Sequence, residues 1–283
     1  MRVELCTIVL NAMPWIRHWL EQHYDWADRI IIVEGADRRY PGRNVTDCGL
    51  SRDQTAYCVH SFPDPGRKIT FIQHGWAADK AELRDRYAHL VTPGALMAVP
   101  DSDEFVPKDS QRLITAIAEA RPDRLALTFP IVHFWQPPGS VWPNGWPRSR
   151  KIVTGSYADI PHTRFFRGVP GMRYRGNHNH PEFPDGRELV SVAPYRMNLD
   201  LVGDEGGMVT TQPHLLHYGF CLEAANGEDK NRFYMARNET VTRPDTTQFR
   251  GAWLRGEIPL GAKVLDWAGG WPECFDGGTN GAR

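Results

Sequence analysis

The stretch VELCTIVLNAMPWIRHWLEQHYDWADRIIIVEGAD, residues 3–37, predicts a strand, a helix and a second strand in succession. Val3–Leu10 and Arg29–Val33 are mostly apolar runs, which is typical of buried strands. Between them, Pro14 suits the first turn of a helix, and apolar side chains then recur at helical spacing from Trp15 to Ala27. Two strands joined by one helix favour a parallel pair, because parallel strands need a long crossover connection.

The alternation of strands and helices continues further along the chain. We expect a short helix around Arg52–His60, a strand over Lys68–Gln73, a charged helix over Asp79–Leu90 and a strand over Leu96–Val99. We then expect a helix over Asp109–Ala120 capped by Asp109 or Ser110, a strand over Arg124–Val132, a β-rich region over 148–195 and a helix over Gly219–Arg237. The sequence therefore predicts an α/β fold: a mostly parallel sheet flanked by helices, a smaller β-rich region and an irregular C-terminal extension.

Composition excludes several classes of function. The 283 residues carry a formal net charge of −1, so bulk charge does not attract nucleic acid or an anionic membrane. The five cysteines are scattered and show no Cys-x-x-Cys spacing, so neither a zinc site nor a disulfide framework is indicated. No apolar run approaches the ~20 residues that span a bilayer, and no signal-peptide pattern precedes the first strand. We therefore expect a cytoplasmic protein without integral membrane association.

An acidic cluster directly follows the predicted strand at 96–99, in the sequence LMAVPDSDEFV of residues 96–106. Side chains two apart on a strand project to the same side, so Asp101 and Asp103 are expected to lie close together. Such a pair stays ionised when a cation lies near it, and Mg²⁺ or Mn²⁺ prefers oxygen ligands. The cluster predicts a metal site for a phosphorylated ligand, and the alternative is an acidic turn without function.

Other polar residues are expected to lie near this cluster. Asn11 and Glu34 follow the first two predicted strands, and ligands of parallel sheets bind beyond the carboxyl ends of the strands. Lys80, Arg84 and Tyr87 share one face of a predicted helix, where they could bind a diphosphate or form ordinary surface ion pairs.

The second half of the chain offers candidate bases and imidazole ligands. Glu182 could act as a general base, and Asp159, His178 and His180 are alternatives for that role. His214 and His217 lie near each other in a helix but face opposite ways in a strand.

A loop rich in tryptophan and proline extends from residue 133 to residue 147. Its Trp135, Trp142 and Trp146 could stack on a sugar or a base, or they could cover the edge of the sheet.

Taken together, these segments resemble the GT-A-fold glycosyltransferases, and in particular the family 2-like group. The resemblance covers roughly residues 3–235. It rests on five segments that follow one another in the order typical of the family: the opening strand–helix–strand, DKAELRDRY, PDSDEF, HTRFFRGVPGMRYRGNHNHPEF and HLLHYGF. It implies that residues 1–107 form the nucleotide-sugar half of one GT-A domain and residues 108–235 the acceptor half, with 236–283 as an extension. The sequence departs from the family at Glu34-Gly35-Ala36, where the family has Asp-x-x-Ser, and in the spread of its His-Glu motif over 177–182.

The resemblance also implies the role of each site residue. Asn11 and Glu34 would contact the nucleoside, Lys80 and Arg84 the diphosphate, and Asp101 the ribose or a metal-bound water. Asp103 would bind Mn²⁺ or Mg²⁺, with His217 favoured over His214 as the residue that completes the coordination and Asp101 assisting. Glu182, His180 or His178 would act as the base.

The implied activity is the transfer of a sugar from a nucleotide-diphospho-sugar, a UDP-sugar, to an acceptor hydroxyl with inversion. The acceptor could be a saccharide, a protein, a small molecule or a hydroxymethylated base in DNA. A sugar-phosphate nucleotidyltransferase and a non-catalytic nucleotide- or sugar-binding module are the alternatives from other classes.

Overall fold

A computed structural model describes most of the first half of the chain and separate parts of the second. The described residues are 1–38, 44–136, 150–154, 163–175, 180–184, 186, 200–202, 207–210, 212–221, 251–258, 261–269 and 272. His178, Asp159, Trp142 and Trp146, which the sequence singles out, lie outside these residues.

Helices and strands alternate through the first hundred residues, as predicted. The helices are α1 (Trp15–His23), α2 (Thr55–His60), α3 (Lys80–Ala88) and α4 (Lys108–Ala120). The strands are β1 (Val3–Val9), β2 (Arg29–Asp37), β3 (Ile69–Ala77), β4 (Leu96–Ala98), β5 (Glu104–Phe105), β6 (Ala126–Thr128), β7 (Ile131–Trp135), β8 (Lys151–Thr154), β9 (Thr163–Arg167), β10 (Asp200–Val202), β11 (Gly207–Val209), β12 (Leu215–Phe220) and β13 (Lys263–Asp266).

The larger sheet has six strands in the order β3-β2-β1-β4-β9-β6. The first four strands run parallel to one another, and β9 is antiparallel to both β4 and β6. This confirms the predicted α/β fold with a mostly parallel sheet flanked by helices. The carboxyl ends of β1, β2 and β4 therefore lie at the same edge of the sheet.

A second sheet has five strands in the order β13-β8-β7-β12-β5. Its strand β12 pairs with β5 on one side and with β7 on the other. The register places His217 opposite Glu104 on β5 and opposite His133 on β7. The acidic turn thus joins the two sheets, because β4 before it belongs to the larger sheet and β5 after it to the smaller.

Each face of the larger sheet covers a separate hydrophobic core, because side chains alternate along its strands. Leu5, Ile30 and Ile32 face a core that also contains side chains of α1, α4 and the second sheet. Ile31 and Val33 face the other core, which is covered by α3. Strands buried on both faces in this way account for the nearly continuous apolar runs in the sequence.

Several local predictions are wrong, and each error has a local cause. The strand expected over Arg124–Val132 is two strands, β6 and β7, with Pro130 between them, because proline cannot donate a ladder hydrogen bond. Helix α4 begins at Lys108 with Pro107 at its N-cap position, two or three residues before the expected cap at Asp109 or Ser110. Gly219 and Phe220 end strand β12 and do not begin a helix, and residues 222–237 of the expected helix lie outside the described residues.

The C-terminal segment contributes one strand to the second sheet. Within the extension that was expected to be irregular, Lys263–Asp266 forms β13 and pairs with β8.

Among the described residues, no helix combines the length and the apolar character needed to cross a bilayer. The proposed division at residues 107 and 235 stays a prediction.

Candidate functional site

The acidic residues after β4 form a tight turn that is closed by two reciprocal hydrogen bonds. The Glu104 backbone N–H donates to the Asp101 carbonyl at 2.9 Å. The Asp101 backbone N–H donates to Glu104 Oε2, also at 2.9 Å. The turn therefore fixes where Asp101, Asp103 and Glu104 project.

Two arginines neutralise one side of this turn. Arg164 on β9 donates from Nε and Nη2 to both oxygens of Glu104, each at 2.7 Å. Asp101 accepts from Arg164 at 3.1 Å and from Arg84 at 3.0 Å. Arg164 and Glu104 are both buried, so this bidentate pair lies in a low-dielectric environment.

The electrostatics of Asp101 follow from these neighbours. Burial alone would raise the pKa of its carboxyl, but Arg164, Arg84 and Lys80 lower it well below the usual range. Asp101 is therefore ionised at neutral pH, and the cations expected beside the acidic pair are supplied in part by the chain itself.

The Asp103 carboxylate lies beside His217 on β12. Asp103 Oδ2 lies 3.9 Å from Nε2 of His217 on β12. The position is held from the backbone as well, since the Tyr218 N–H donates to the Asp103 carbonyl at 2.9 Å. Asp103 and His217 were both predicted as metal ligands, and the fold brings them together across 114 residues of sequence.

Gly219 leaves space beside this pair. A Cβ atom at residue 219 would lie 2.3 Å from His217 Nε2 and 3.3 Å from Asp103 Oδ2. Any larger residue would therefore displace the imidazole or fill the region between the two groups.

The two side chains fit a small divalent cation. Two ligands at about 2.1 Å from one Mg²⁺ ion are about 3.0 Å apart on perpendicular axes and at most about 4.2 Å apart. The observed 3.9 Å between Asp103 Oδ2 and His217 Nε2 falls within this limit. One carboxylate with one imidazole suits Mn²⁺ better than Mg²⁺. Over the described residues there is no cluster of three or more His, Cys, Asp or Glu side chains able to hold a metal, so water or ligand oxygens would have to complete the coordination.

His217 also contacts a second histidine. His133 Nδ1 lies 2.6 Å from His217 Nδ1, and the two rings are nearly perpendicular, with their centroids 4.7 Å apart. His133 is buried, whereas the His217 side chain is 16% exposed. The second predicted imidazole, His214, precedes β12 on the opposite face and lies near Ser110 and Gln212, so the strand alternative is the correct one.

Side chains of α1 and α4 also hold the end of the turn in place through hydrogen bonds with the Val106 backbone. The Val106 N–H donates to His23 Nε2 at 3.0 Å, and the Val106 carbonyl accepts from Gln22 and Gln111. Burial lowers the pKa of His23 to about 3, although its hydrogen bond to the Trp19 carbonyl opposes that shift. His23 is therefore neutral at physiological pH and can accept from Val106.

The residues after β1 and β2 have contacts within the chain. The Asn11 side chain donates to the Asn44 carbonyl at 2.8 Å and accepts from the Arg52 N–H at 3.0 Å. Glu34 is fully buried and accepts from the Ser51 N–H and from the Gln73 side chain. Both predicted nucleoside contacts thus hold the segment 44–52 against the ends of the strands.

The residues of helix α3 that were predicted to bind phosphate lie partly near the surface and partly in the core. Lys80 is half-buried and close enough to lower the pKa of Asp101. Arg84 and Tyr87 are buried, and Tyr87 packs edge-on against Tyr174. Burial raises the pKa of Tyr174 to about 12 even though Arg84 opposes that shift. The two phenols are therefore neutral, and the charge of Arg84 is directed at Asp101.

The predicted base region lies beside α3. The Glu182 backbone pairs with Arg173, and Arg173 in turn binds Asp85 of α3 at 2.9 Å. The side chains of Glu182 and His180 are exposed. Trp135, the one described tryptophan of the predicted aromatic loop, is buried against Phe220.

Sequence reasoning missed three residues of this site: Arg164, His133 and Gly219. The sequence alone assigns none of these three residues a role in the site. The residue types indicate that the acidic turn needs a cationic partner. Only the fold shows which arginine and which histidine lie beside it.

No protein-family model matches this sequence, and no curated protein matches it. Among solved structures, the chain is similar to S. aureus TarS, with a TM-score of 0.35 and 14% identity over 50% of this chain and 24% of that one. It is also similar to S. aureus TarS 1-349, with a TM-score of 0.40 and 10% identity over 90% of this chain and 71% of that one. A third likeness is to mannose-6-phosphate isomerase from Helicobacter pylori, with a TM-score of 0.33 and 10% identity over 60% and 61% of the two chains.

The chain spans about a quarter of the length of the first of these structures. At TM-scores below 0.5, none of these likenesses assigns the chain to a family.

Proposed function

We propose that the protein is a metal-dependent glycosyltransferase that moves a sugar from a nucleotide-diphospho-sugar to an acceptor hydroxyl. The observation that carries the proposal is the pair Asp103–His217, held 3.9 Å apart beside Gly219. It lies beyond β4 at the edge of a parallel sheet where phosphorylated ligands bind. The sequence resemblance adds a UDP-sugar as donor and inversion as the stereochemical outcome.

The residues near the acidic turn would have different roles in binding the donor. Asp103 and His217 would hold Mn²⁺ or Mg²⁺, and a bound ion would supply Lewis-acid stabilisation of the leaving diphosphate. Lys80 is half-buried at the start of α3 and would contact the same phosphates. Arg84 is buried and directed at Asp101, so it supports the turn and acts on the donor through Asp101.

The chemistry at the acceptor needs one base. The acceptor oxygen forms a bond to the anomeric carbon while the bond from that carbon to the diphosphate oxygen breaks. The acceptor proton passes to Glu182, or to His180 or His178. Glu182 and His180 are exposed beside α3, which leaves them accessible to an acceptor.

A release assay tests the proposal directly. The protein is incubated with a panel of sugar nucleotides and with Mn²⁺, Mg²⁺ or EDTA, and both nucleoside diphosphate and pyrophosphate are measured. We expect slow release of nucleoside diphosphate from one donor, which needs no identified acceptor, and loss of that release in EDTA.

Each other outcome contradicts the proposal in its own way. Release of pyrophosphate would identify a nucleotidyltransferase. Binding of a sugar nucleotide without turnover, with or without metal, would identify a binding module. Turnover that persists in EDTA would remove the metal from the proposal.

A further inference from the structure

The paired histidines His133 and His217 have a consequence for the site. We propose that His133 is a positioning residue: it accepts the Nδ1 proton of His217 and thereby leaves the Nε2 lone pair of His217 directed at the cation position beside Asp103. This inference rests on the proposed function, because it concerns the same metal site.

The first step concerns the proton between the two rings. The Nδ1 atoms of His133 and His217 are 2.6 Å apart, which is within hydrogen-bonding distance. A neutral imidazole carries its proton on one ring nitrogen only, so in a bond between two Nδ1 atoms one ring donates and the other accepts. The ring that donates has its lone pair on Nε2, and the ring that accepts has its proton there.

The second step decides which ring donates. The Nε2 atom of His217 lies 3.9 Å from Asp103 Oδ2, too far for a direct hydrogen bond between them. A cation between these atoms needs a lone pair on Nε2, which requires that His217 donates from Nδ1. Metal-binding histidines commonly donate their other ring N–H to a fixed acceptor, which sets the tautomer and the ring orientation.

The third step concerns why His133 can hold this geometry. His133 and His217 are register partners on the parallel strands β7 and β12, so both main chains are fixed by the ladder. His133 is 4% exposed, which limits competition from bulk water for its Nδ1. The Nε2 atom of His217 lies against Gly219, where a Cβ atom would come within 2.3 Å of it, so the absence of a side chain at residue 219 leaves room for the imidazole. The strand pair and Gly219 thus fix the imidazole beside Asp103.

The test compares two substitutions of His133 by their effect on Mn²⁺ binding. The full-length protein is titrated with Mn²⁺, alone and with UDP, and the free ion is measured by electron paramagnetic resonance. His133→Phe keeps an aromatic ring but removes the acceptor, and we expect Mn²⁺ affinity to fall by about 10–100-fold. His133→Asn places an amide oxygen near the position of Nδ1, and we expect it to retain most of the wild-type affinity.

Two controls separate this inference from the proposed function. His214→Phe changes a nearby histidine on the other face of β12 and is expected to bind Mn²⁺ like wild type. Asp103→Asn removes the carboxylate ligand and is expected to abolish binding. If wild type and Asp103→Asn bind Mn²⁺ equally, the metal site itself is wrong. If Asp103→Asn loses binding but His133→Phe does not, only the role of His133 is overturned.

A spectroscopic measurement covers the case in which His133→Phe fails to fold. Two-bond ¹H–¹⁵N spectra of the wild-type protein report which nitrogen of His217 carries the proton, with the signals assigned by His217→Gln. We expect the Nδ1–H form in the presence of Mg²⁺ and UDP. A proton on Nε2 under those conditions would overturn the proposal without any variant of His133.

Discussion

The ends of strands β1 and β2 differ from the turn after β4, although all three lie at the same edge of the sheet. The side chains of Asn11 and Glu34 form hydrogen bonds with segment 44–52 of the chain. In the turn, Asp101 and Glu104 are bound by arginines, whereas Asp103 faces His217 across 3.9 Å with Gly219 beside them. Polar residues at one edge of the sheet therefore differ in their partners: most of them bind other segments of the chain, whereas Asp103 lies beside an imidazole.

The largest expected effect concerns the arginine that builds the turn. Arg164→Met would leave the Glu104 carboxylate buried without its bidentate partner, and we expect it to lower the free energy of unfolding by about 3–5 kcal/mol. Urea unfolding followed by circular dichroism measures the loss. The matched control is Arg173→Met, which removes an exposed pair with Asp85 and is expected to cost about 0–1 kcal/mol. Equal losses in the two variants would show that Arg164 does not secure the turn.

The second effect concerns Asp103, the carboxylate of the turn that lies beside His217. Asp103→Asn removes a charged ligand while keeping the shape of the side chain, and we expect nucleoside diphosphate release to fall by about 10²–10³-fold. The melting temperature should stay near that of wild type, because the amide of asparagine keeps the shape of the carboxylate. Activity that survives this substitution would place the reaction elsewhere.

The third effect tests whether Glu34 builds the edge or binds a ligand. Glu34→Gln turns one acceptor into a donor that faces the Ser51 N–H or the Gln73 amide, and we expect the free energy of unfolding to fall by about 1–3 kcal/mol. The control Glu21→Gln, on the exposed side of α1, is expected to cost about 0.3–0.5 kcal/mol. A higher KM for the donor with unchanged stability would instead make Glu34 a nucleoside contact.

The last effect is a pH dependence that comes from His23, which supports the turn through Val106. The pKa of His23 is about 3 in the folded protein, against about 6.5 in an unfolded chain. Between these values the unfolded chain binds the extra proton, so the free energy of unfolding falls as the pH drops, by up to about 1.4 kcal/mol per pH unit.

The variant His23→Gln measures that slope. Stability curves between pH 7 and pH 4 should be flatter for His23→Gln than for wild type, while His89→Gln, which changes an exposed histidine, should keep the wild-type slope. Parallel curves for all three proteins would show that His23 does not hold Val106 as a neutral acceptor.

The predictable part of the site follows from local patterns. Asp103 could be singled out from the sequence because an acidic turn after a parallel strand is visible along the chain, whereas only the family resemblance favours His217 over His214. Pro130 shows the limit of such patterns, since one proline divided an expected strand into β6 and β7. The expected helix after Gly219 failed at its start because the pairing of β12 with β5 and β7 outweighs local preference.

The sequence by itself determined the alternation of strands and helices, the mostly parallel sheet and the place of the acidic turn along the chain, because hydrophobic periodicity is a local property. Only the tertiary structure decided that Arg164 binds Glu104 and that His133 contacts His217, over separations of 60 and 84 residues. It also decided that Asp103 lies 3.9 Å from the imidazole of His217. Such contacts depend on strand order and register, and the residue types do not specify them in advance.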